Sequence, residues 1–145
     1  AYMVSVLWVG LLVGRLVAAA AYRHQRQTPL LVGTSALATG ALATALSVDD
    51  PRLAGACFLL CGVGFAAIYP VVVVIAGQYY RDDQGLAIGA IATGGGLGSF
   101  LFPFAMSALA QGLGIGQAFW FYVALSLAMG LTAVLVIWRE RSAQV

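Results

Sequence analysis

Charged residues occur in short clusters that separate long apolar stretches of the chain. Residues 27–48, 53–80 and 84–138 contain no Asp, Glu, Lys or Arg, and the last of these stretches is 55 residues long. A helix needs about 20 apolar residues to cross a hydrocarbon core about 30 Å thick, so the last stretch is long enough for two helices with a turn between them. The pattern predicts five membrane-spanning helices, at about 1–22, 30–48, 53–80, 85–110 and 118–138.

The composition points to the same class of protein. Hydrophobic residues make up 62% of the 145 residues and charged residues only 8%, whereas soluble domains are about 25% charged. We therefore predict an all-α integral membrane protein. The net charge of +2 is too small to indicate nucleic-acid binding. The chain opens inside an apolar run, without the basic start of a signal peptide, so we expect that further residues precede Ala1.

Candidate catalytic and metal-binding groups are scarce. Cys57 and Cys61 lie four residues apart on one predicted helix. Two thiols are too few for a structural zinc site, so we expect them to be small packing residues. No Asp, Glu or His lies within a predicted span, so Ser99, Ser107 and Ser126 have no base that could activate them. We expect no catalytic residue, no metal and no cofactor, and therefore not an enzyme.

The third predicted helix contains Tyr69-Pro70 near its middle. A proline inside a soluble helix costs roughly 3 kcal/mol, because it removes a hydrogen-bond donor and its ring clashes with the preceding turn. Membrane helices tolerate a proline where neighbouring groups or a water-lined cavity satisfy the freed carbonyl. The sequence therefore predicts a broken or kinked helix here, with Phe65 and Tyr69 near the bilayer midplane.

Glycines concentrate in the first and fourth predicted spans. Gly10 and Gly14 form a G-x-x-x-G pair directly before Arg15, a spacing that lets a partner helix approach closely. The fourth span contains Gly94, Gly95, Gly96 and Gly98, followed by Pro103. Each glycine weakens a helix by about 1 kcal/mol relative to alanine, which predicts that another backbone or a moving partner lies against them. The alternative, a phosphate-cradling loop, is disfavoured because the segment contains no Lys.

Basic residues predict the orientation in the membrane. The loop after the first span contains Arg23 and Arg26, and the C-terminal tail contains Arg139 and Arg141. The second loop has one Arg against two Asp, and the turn between the fourth and fifth spans has no charge. Cytoplasmic loops are enriched in Lys and Arg. We therefore expect the N-terminal end outside and the C-terminus in the cytoplasm.

Three motifs, in order along the chain, resemble the C-terminal half of a major facilitator superfamily transporter. Trp8–Arg15 is similar to the end of the eighth helix of that fold, and Gly89–Pro103 to the eleventh. Gly62–Pro70 is similar to the tenth helix, especially that of fucose-permease-like sugar transporters. The resemblance covers the whole chain, as helices eight to twelve, which is most of the C-terminal six-helix bundle. One departure is Ala18, where the family usually has an aspartate.

The resemblance implies a secondary active transporter, a permease that moves a small solute such as a sugar or a drug-like metabolite by alternating access. That fold has two six-helix halves around a central cavity, so the N-terminal half would be missing from this chain. The third span would line the cavity, the first and fourth would pack against the missing half, and the second and fifth would be peripheral. An aromatic face can stack on a sugar, so the implied substrate contacts are aromatic: Tyr69, Trp8, Phe65 and Phe100. Helix packing and conformational change would involve Gly10, Gly14, Arg15, Pro70, Gly94, Gly95, Gly96, Gly98 and Pro103.

The expected partners are the lipid bilayer, a small-molecule substrate and the missing half, and the expected location is a bacterial inner membrane. Symporters, antiporters and uniporters remain open, because no Asp or Glu in a span offers a proton-coupling group. For Arg15, snorkelling to the interface or a backbone carbonyl partner is favoured over an anionic substrate. The alternative function is a stand-alone membrane scaffold or an oligomeric channel subunit. A channel of identical chains would want a polar stripe along one helix, and no span has one.

Overall fold

The structure, a computed structural model, describes residues 2–21 and 27–142. Within these ranges it contains helices and no strand. The helices are α1 (Tyr2–Ala21), α2 (Gln27–Ser47), α3 (Pro51–Tyr79), α4 (Gln84–Leu113), α5 (Ile115–Ala118) and α6 (Trp120–Ser142).

Five segments are long and apolar enough to cross a membrane, which confirms the predicted all-α membrane class. They are Tyr2–Ala20, Pro29–Ser47, Pro51–Tyr79, Gln84–Leu113 and Ile115–Val136, the last combining α5 with most of α6. With 29 and 30 residues, α3 and α4 are each about 45 Å long. Because this exceeds a hydrocarbon core of about 30 Å, both must tilt or extend into the interfaces. The predicted basic loop with Arg23 and Arg26 lies outside the described residues, as do Ala1 and Val145.

The start of α3 and the end of α4 differ by a few residues from the predicted span boundaries. Helix α3 begins at Pro51, two residues before the predicted start, because the Asp50 side chain accepts a hydrogen bond of 2.9 Å from the N–H of Arg52. The turn predicted between the fourth and fifth spans is shorter in the structure, since α4 continues to Leu113 and α5 starts at Ile115. Gly114, with φ +85°, alone breaks the helix between them.

Helix α3 runs without interruption through Pro70, so the broken-helix alternative is wrong. The turn before the proline is held by its neighbours: Ala66 and Ala67 are both buried. Helix α4 likewise continues through Pro103. A proline can be accommodated within a helix when surrounding groups fix the backbone, and α3 has such support from α1 and α2.

Helices α1 and α2 pack on α3 through glycines of α3 itself. A Cβ added at Gly62 would lie 2.9 Å from the backbone nitrogen of Leu11 in α1. A Cβ added at Gly64 would lie 2.7 Å from the backbone nitrogen of Ala38 in α2. Real Cβ atoms essentially never approach so closely, so both contacts require glycine. The G-x-G pair thus lets α3 sit against a helix on either side.

Helix α6 completes the packed part of the fold against α2. Its Val123 lies in a buried cluster with Ala41, Leu42 and Cys61, and its Ala133 lies in a second cluster with Leu31, Ile68 and Val71. Helix α4 has no buried residue. It is attached near its start by a 3.0 Å hydrogen bond from Gln84 Nε2 to the Gly77 carbonyl, and further along by an edge contact of the Phe102 and Phe121 rings.

Candidate functional site

Three of the four predicted substrate contacts lie on the surface of the five spans. Tyr69 is 53% exposed, Trp8 65% and Phe100 74%, on α3, α1 and α4 respectively. The structure therefore does not bring these three aromatic rings together into one enclosed site. Their exposure leaves each ring available to lipid, to another helix or to a bound solute.

The fourth residue, Phe65, is the central residue of α3 and borders a half-open cavity of about 480 Å³. Four more aromatic side chains line the same cavity: Phe58, Phe102, Phe119 and Tyr122. We call it the aromatic cavity. It lies between α3, α4 and α6 and is partly open to the outside.

A hydrogen-bonded hydroxyl pair forms one polar edge of the aromatic cavity. Ser126 of α6 lies 2.6 Å (Oγ to Oγ1) from Thr39 of α2. Thr39 donates its proton to the carbonyl of Ser35 at 2.9 Å. A hydroxyl has one proton to give, so Ser126 is the donor in the pair. Sequence reasoning missed this contact, because 87 residues separate two hydroxyls that each look isolated.

Arg15 and Pro70 border a second cavity, of about 350 Å³, between α1, α2 and α3. We call it the proline cavity. Apart from Arg15, its walls are made of Ala, Val, Leu and Pro side chains. The Arg15 side chain is exposed. The arrangement leaves one cationic donor beside an apolar space.

The glycine pair of α1 has a different partner from the one expected. Gly10 and Gly14 are buried against α3 of the same chain and not left open for missing helices. A Cβ at Gly14 would lie 2.7 Å from both Val63 Cα and Ala66 Cβ. The expectation that this pair faces another half of the protein is therefore wrong. The physical reason is that Gly62 of α3 provides a complementary smooth surface, which the spacing of Gly10 and Gly14 could not reveal on its own.

The glycines of α4 remain open. A Cβ added at Gly94, Gly95 or Gly96 would meet nothing within 4 Å, whereas one at Gly98 would meet the ring of Phe102 on its own helix at 3.1 Å. Pro103 is exposed one turn later. Among the described residues no group of three or more His, Cys, Asp or Glu side chains could hold a metal ion. Helix α4 is thus a glycine-rich span whose described residues are all exposed or half-buried.

Gly62 and Gly64 are the structural residues that sequence reasoning left without a role. The signal was present, since two glycines separated by one residue lower the stability of an isolated helix, which calls for a compensating contact. What the sequence could not supply was the partner on each side. The structure supplies it: α1 for Gly62 and α2 for Gly64.

Comparison with protein families agrees with this architecture. The Major Facilitator Superfamily matches residues 1–145, which is the whole chain. Neither the curated proteins nor the solved structures that were compared give a match. Five segments long and apolar enough to cross a membrane agree with this family match over the full length. The chain belongs to the major facilitator superfamily and is a membrane transporter protein.

Proposed function

We propose that this chain forms helices eight to twelve of a permease that moves a small solute by alternating access. The observation that carries the proposal is the contrast between α4, which has no buried residue, and the packed group of α1, α2 and α3. An apolar span with no buried residue is suited to bind helices from another part of a transporter. The other half of a two-halved carrier would provide such helices.

The open glycines of α4 support a helix, and not lipid alone, as its partner. Gly94, Gly95 and Gly96 present backbone to open space. Small residues allow helix backbones to approach closely, and in lipid this close packing replaces the hydrophobic drive of soluble proteins. A glycine run facing only lipid would weaken α4 with no compensating contact.

The proposed substrate contacts are the exposed aromatic rings of Tyr69, Trp8 and Phe100. A ring at the surface of the bundle can stack on a sugar or another amphipathic solute, and the Tyr69 hydroxyl can also form a hydrogen bond. Phe65 would act differently, since it is half-buried and borders the aromatic cavity inside the bundle. The substrate class proposed is therefore a small solute with an apolar face, such as a sugar or a drug-like metabolite.

Orientation and coupling follow from charge. We propose a bacterial inner membrane as the location, with the N-terminal end outside and Arg139 on the cytoplasmic side. No Asp or Glu lies within the apolar stretches 53–80 and 84–138. A proton-coupling carboxylate would therefore come from elsewhere in the transporter, or the protein would act as a uniporter. A stand-alone scaffold or channel subunit is the less favoured alternative, because the family is one of transporters.

The test combines transport with site-directed labelling of the full-length protein in vesicles. A panel of radiolabelled sugars and drug-like solutes identifies the substrate by uptake. A Tyr69→Cys variant is then treated with a membrane-impermeant thiol reagent; Cys57 and Cys61 can stay, because both are buried. We expect labelling that the substrate slows several-fold. Leu131→Cys, an exposed position on α6, is the matched control and should show no protection.

Two results would contradict the proposal. If the folded protein in vesicles takes up none of the tested solutes, the proposed permease function is contradicted. If Tyr69→Cys is not labelled, or is labelled equally with and without an identified substrate, then Tyr69 does not contact the substrate. That result would leave the proposed transport function intact.

A further inference from the structure

A further cavity lies where two membrane spans end side by side. Its volume is about 620 Å³, and it lies between the C-terminal parts of α3 and α6. The α3 span ends at Tyr79 and the fifth span ends at Val136, and both residues line the cavity. Two spans that end next to each other end at the same face of the membrane. We call this space the interfacial cavity.

The walls of the interfacial cavity change from apolar to polar along the two helices. Four apolar side chains within the spans form one wall: Val72, Ile75, Ala76 and Val136. Tyr79, Tyr80 and Arg139, which lie at or beyond the ends of the spans, form the rest. Tyrosine favours the level of the lipid headgroups, where its ring meets apolar chains and its hydroxyl meets water. The cavity therefore joins an apolar wall to a polar edge, as an amphiphilic ligand requires.

Arg139 gives the interfacial cavity a positive charge. No Asp or Glu is among the described residues that line it, and Asp83 borders a neighbouring cavity instead. The Arg139 side chain is exposed, so a ligand can reach its guanidinium group. Guanidinium donors match the geometry of phosphate oxygens and often bind them in pairs. Basic pockets between membrane helices are typical sites for the headgroups of anionic lipids.

We propose that the interfacial cavity binds an anionic phospholipid, with its phosphate at Arg139 and the first part of an acyl chain against Val72 and Ile75. The cavity has the size of a small-molecule site, about 300–1,000 Å³. A zwitterionic headgroup would bring in an ammonium group, and no carboxylate lines the cavity to receive it. A free phosphate ion would leave the apolar wall without a contact. Lipid binding here does not depend on transport by the protein.

Native mass spectrometry of the full-length protein in a neutral detergent tests the charge preference. Phosphatidylglycerol and phosphatidylcholine with identical acyl chains are titrated separately, and the wild type should bind phosphatidylglycerol more tightly. Arg139→Gln should lower this preference about fivefold, the contribution of one basic residue near a membrane surface. Arg52→Gln is the matched control, because it removes the same charge at the opposite end of the α3 span. It should leave the preference unchanged.

A second pair of variants tests the apolar wall. Val136→Trp fills part of the interfacial cavity and should weaken the binding of phosphatidylglycerol several-fold. Leu135→Trp adds the same side chain at the preceding position, which is exposed and does not line the cavity, so it should have no effect. Inorganic phosphate in large excess should not displace the lipid, because it cannot contact the apolar wall.

Several results would overturn the inference. Equal binding of the two lipids by the wild type would do so, as would equal changes in preference for Arg139→Gln and Arg52→Gln. Displacement of the lipid by inorganic phosphate would show that the site recognises an anion alone. Equal effects of the two tryptophan variants would remove the role of the apolar wall. If Val136→Trp does not fold, the two arginine variants decide the question, since both change exposed side chains.

Discussion

Helices α3 and α4 are closely matched in sequence character and differ sharply in their surroundings. They contain 29 and 30 residues, both contain an internal proline, and both are rich in glycine. Ten residues of α3 are buried, whereas α4 has none. The glycines show the same contrast, since Gly62 and Gly64 contact other helices while Gly94–Gly96 face open space. Glycine content therefore marks where helices can approach closely, and the available partner decides whether they do.

The largest expected effect comes from filling a glycine contact of α3. Gly62→Val would place a branched side chain against the backbone of Leu11 and Gly10, where no flexible group can move aside. We expect a loss of about 3 kcal/mol of stability, at the upper end for overpacking, and little folded protein. Gly33→Ala, at an open position of α2, is the control and should be neutral or slightly stabilising. Thermal unfolding in detergent measures both, and equal tolerance of the two changes would contradict the packing role of Gly62.

A larger residue in place of a glycine of α4 tests whether this helix faces lipid or binds another helix of the transporter. Gly95→Leu meets no atom within 4 Å of the added Cβ, so it should not destabilise these five helices by themselves. If another helix of the transporter packs on this face, the leucine would disturb that contact by about 1.4 kcal/mol or more. We then expect uptake in vesicles to fall about tenfold, with the amount of folded protein unchanged. Normal uptake would show that the face contacts lipid only.

Much of this fold was predictable, because five charge-free spans follow directly from the width of a bilayer. The partners of each helix were not predictable from a single sequence. A helix that is apolar all round shows no preferred face, so periodicity cannot say which neighbour Gly10 and Gly14 contact. The prediction assigned them to absent helices, and the structure places them on α3. Of the candidate substrate contacts, Phe65 borders the half-open aromatic cavity, whereas Tyr69 and Trp8 lie exposed, a distinction that depends on tertiary packing alone.

The hydroxyl pair between α2 and α6 should contribute a smaller amount than the glycine contacts. Ser126→Ala removes the donor to Thr39, and an interhelical hydrogen bond in a membrane contributes about 0.6 kcal/mol and at most about 1.7 kcal/mol. We expect a fall in unfolding temperature of about 1–3 °C. Ser99→Ala in α4 is the control, because the Ser99 hydroxyl donates its hydrogen bond to the Gly96 carbonyl of its own helix. A double-mutant cycle with Thr39→Val should show that the two losses are not additive.

The smallest expected difference concerns how α3 and α4 begin. Asp50 caps α3 by accepting a hydrogen bond from the N–H of Arg52, whereas Asp83 precedes α4 without a side-chain cap bond. Loss of an N-cap bond costs about 0.5–1 kcal/mol at an exposed site, so Asp50→Ala should lower the unfolding temperature by about 1–2 °C. Asp83→Ala should leave it unchanged within error. The two variants remove the same charge from equivalent places, so a difference between them isolates the cap. Equal effects would mean that charge near the helix start, and not the hydrogen bond of Asp50, stabilises α3.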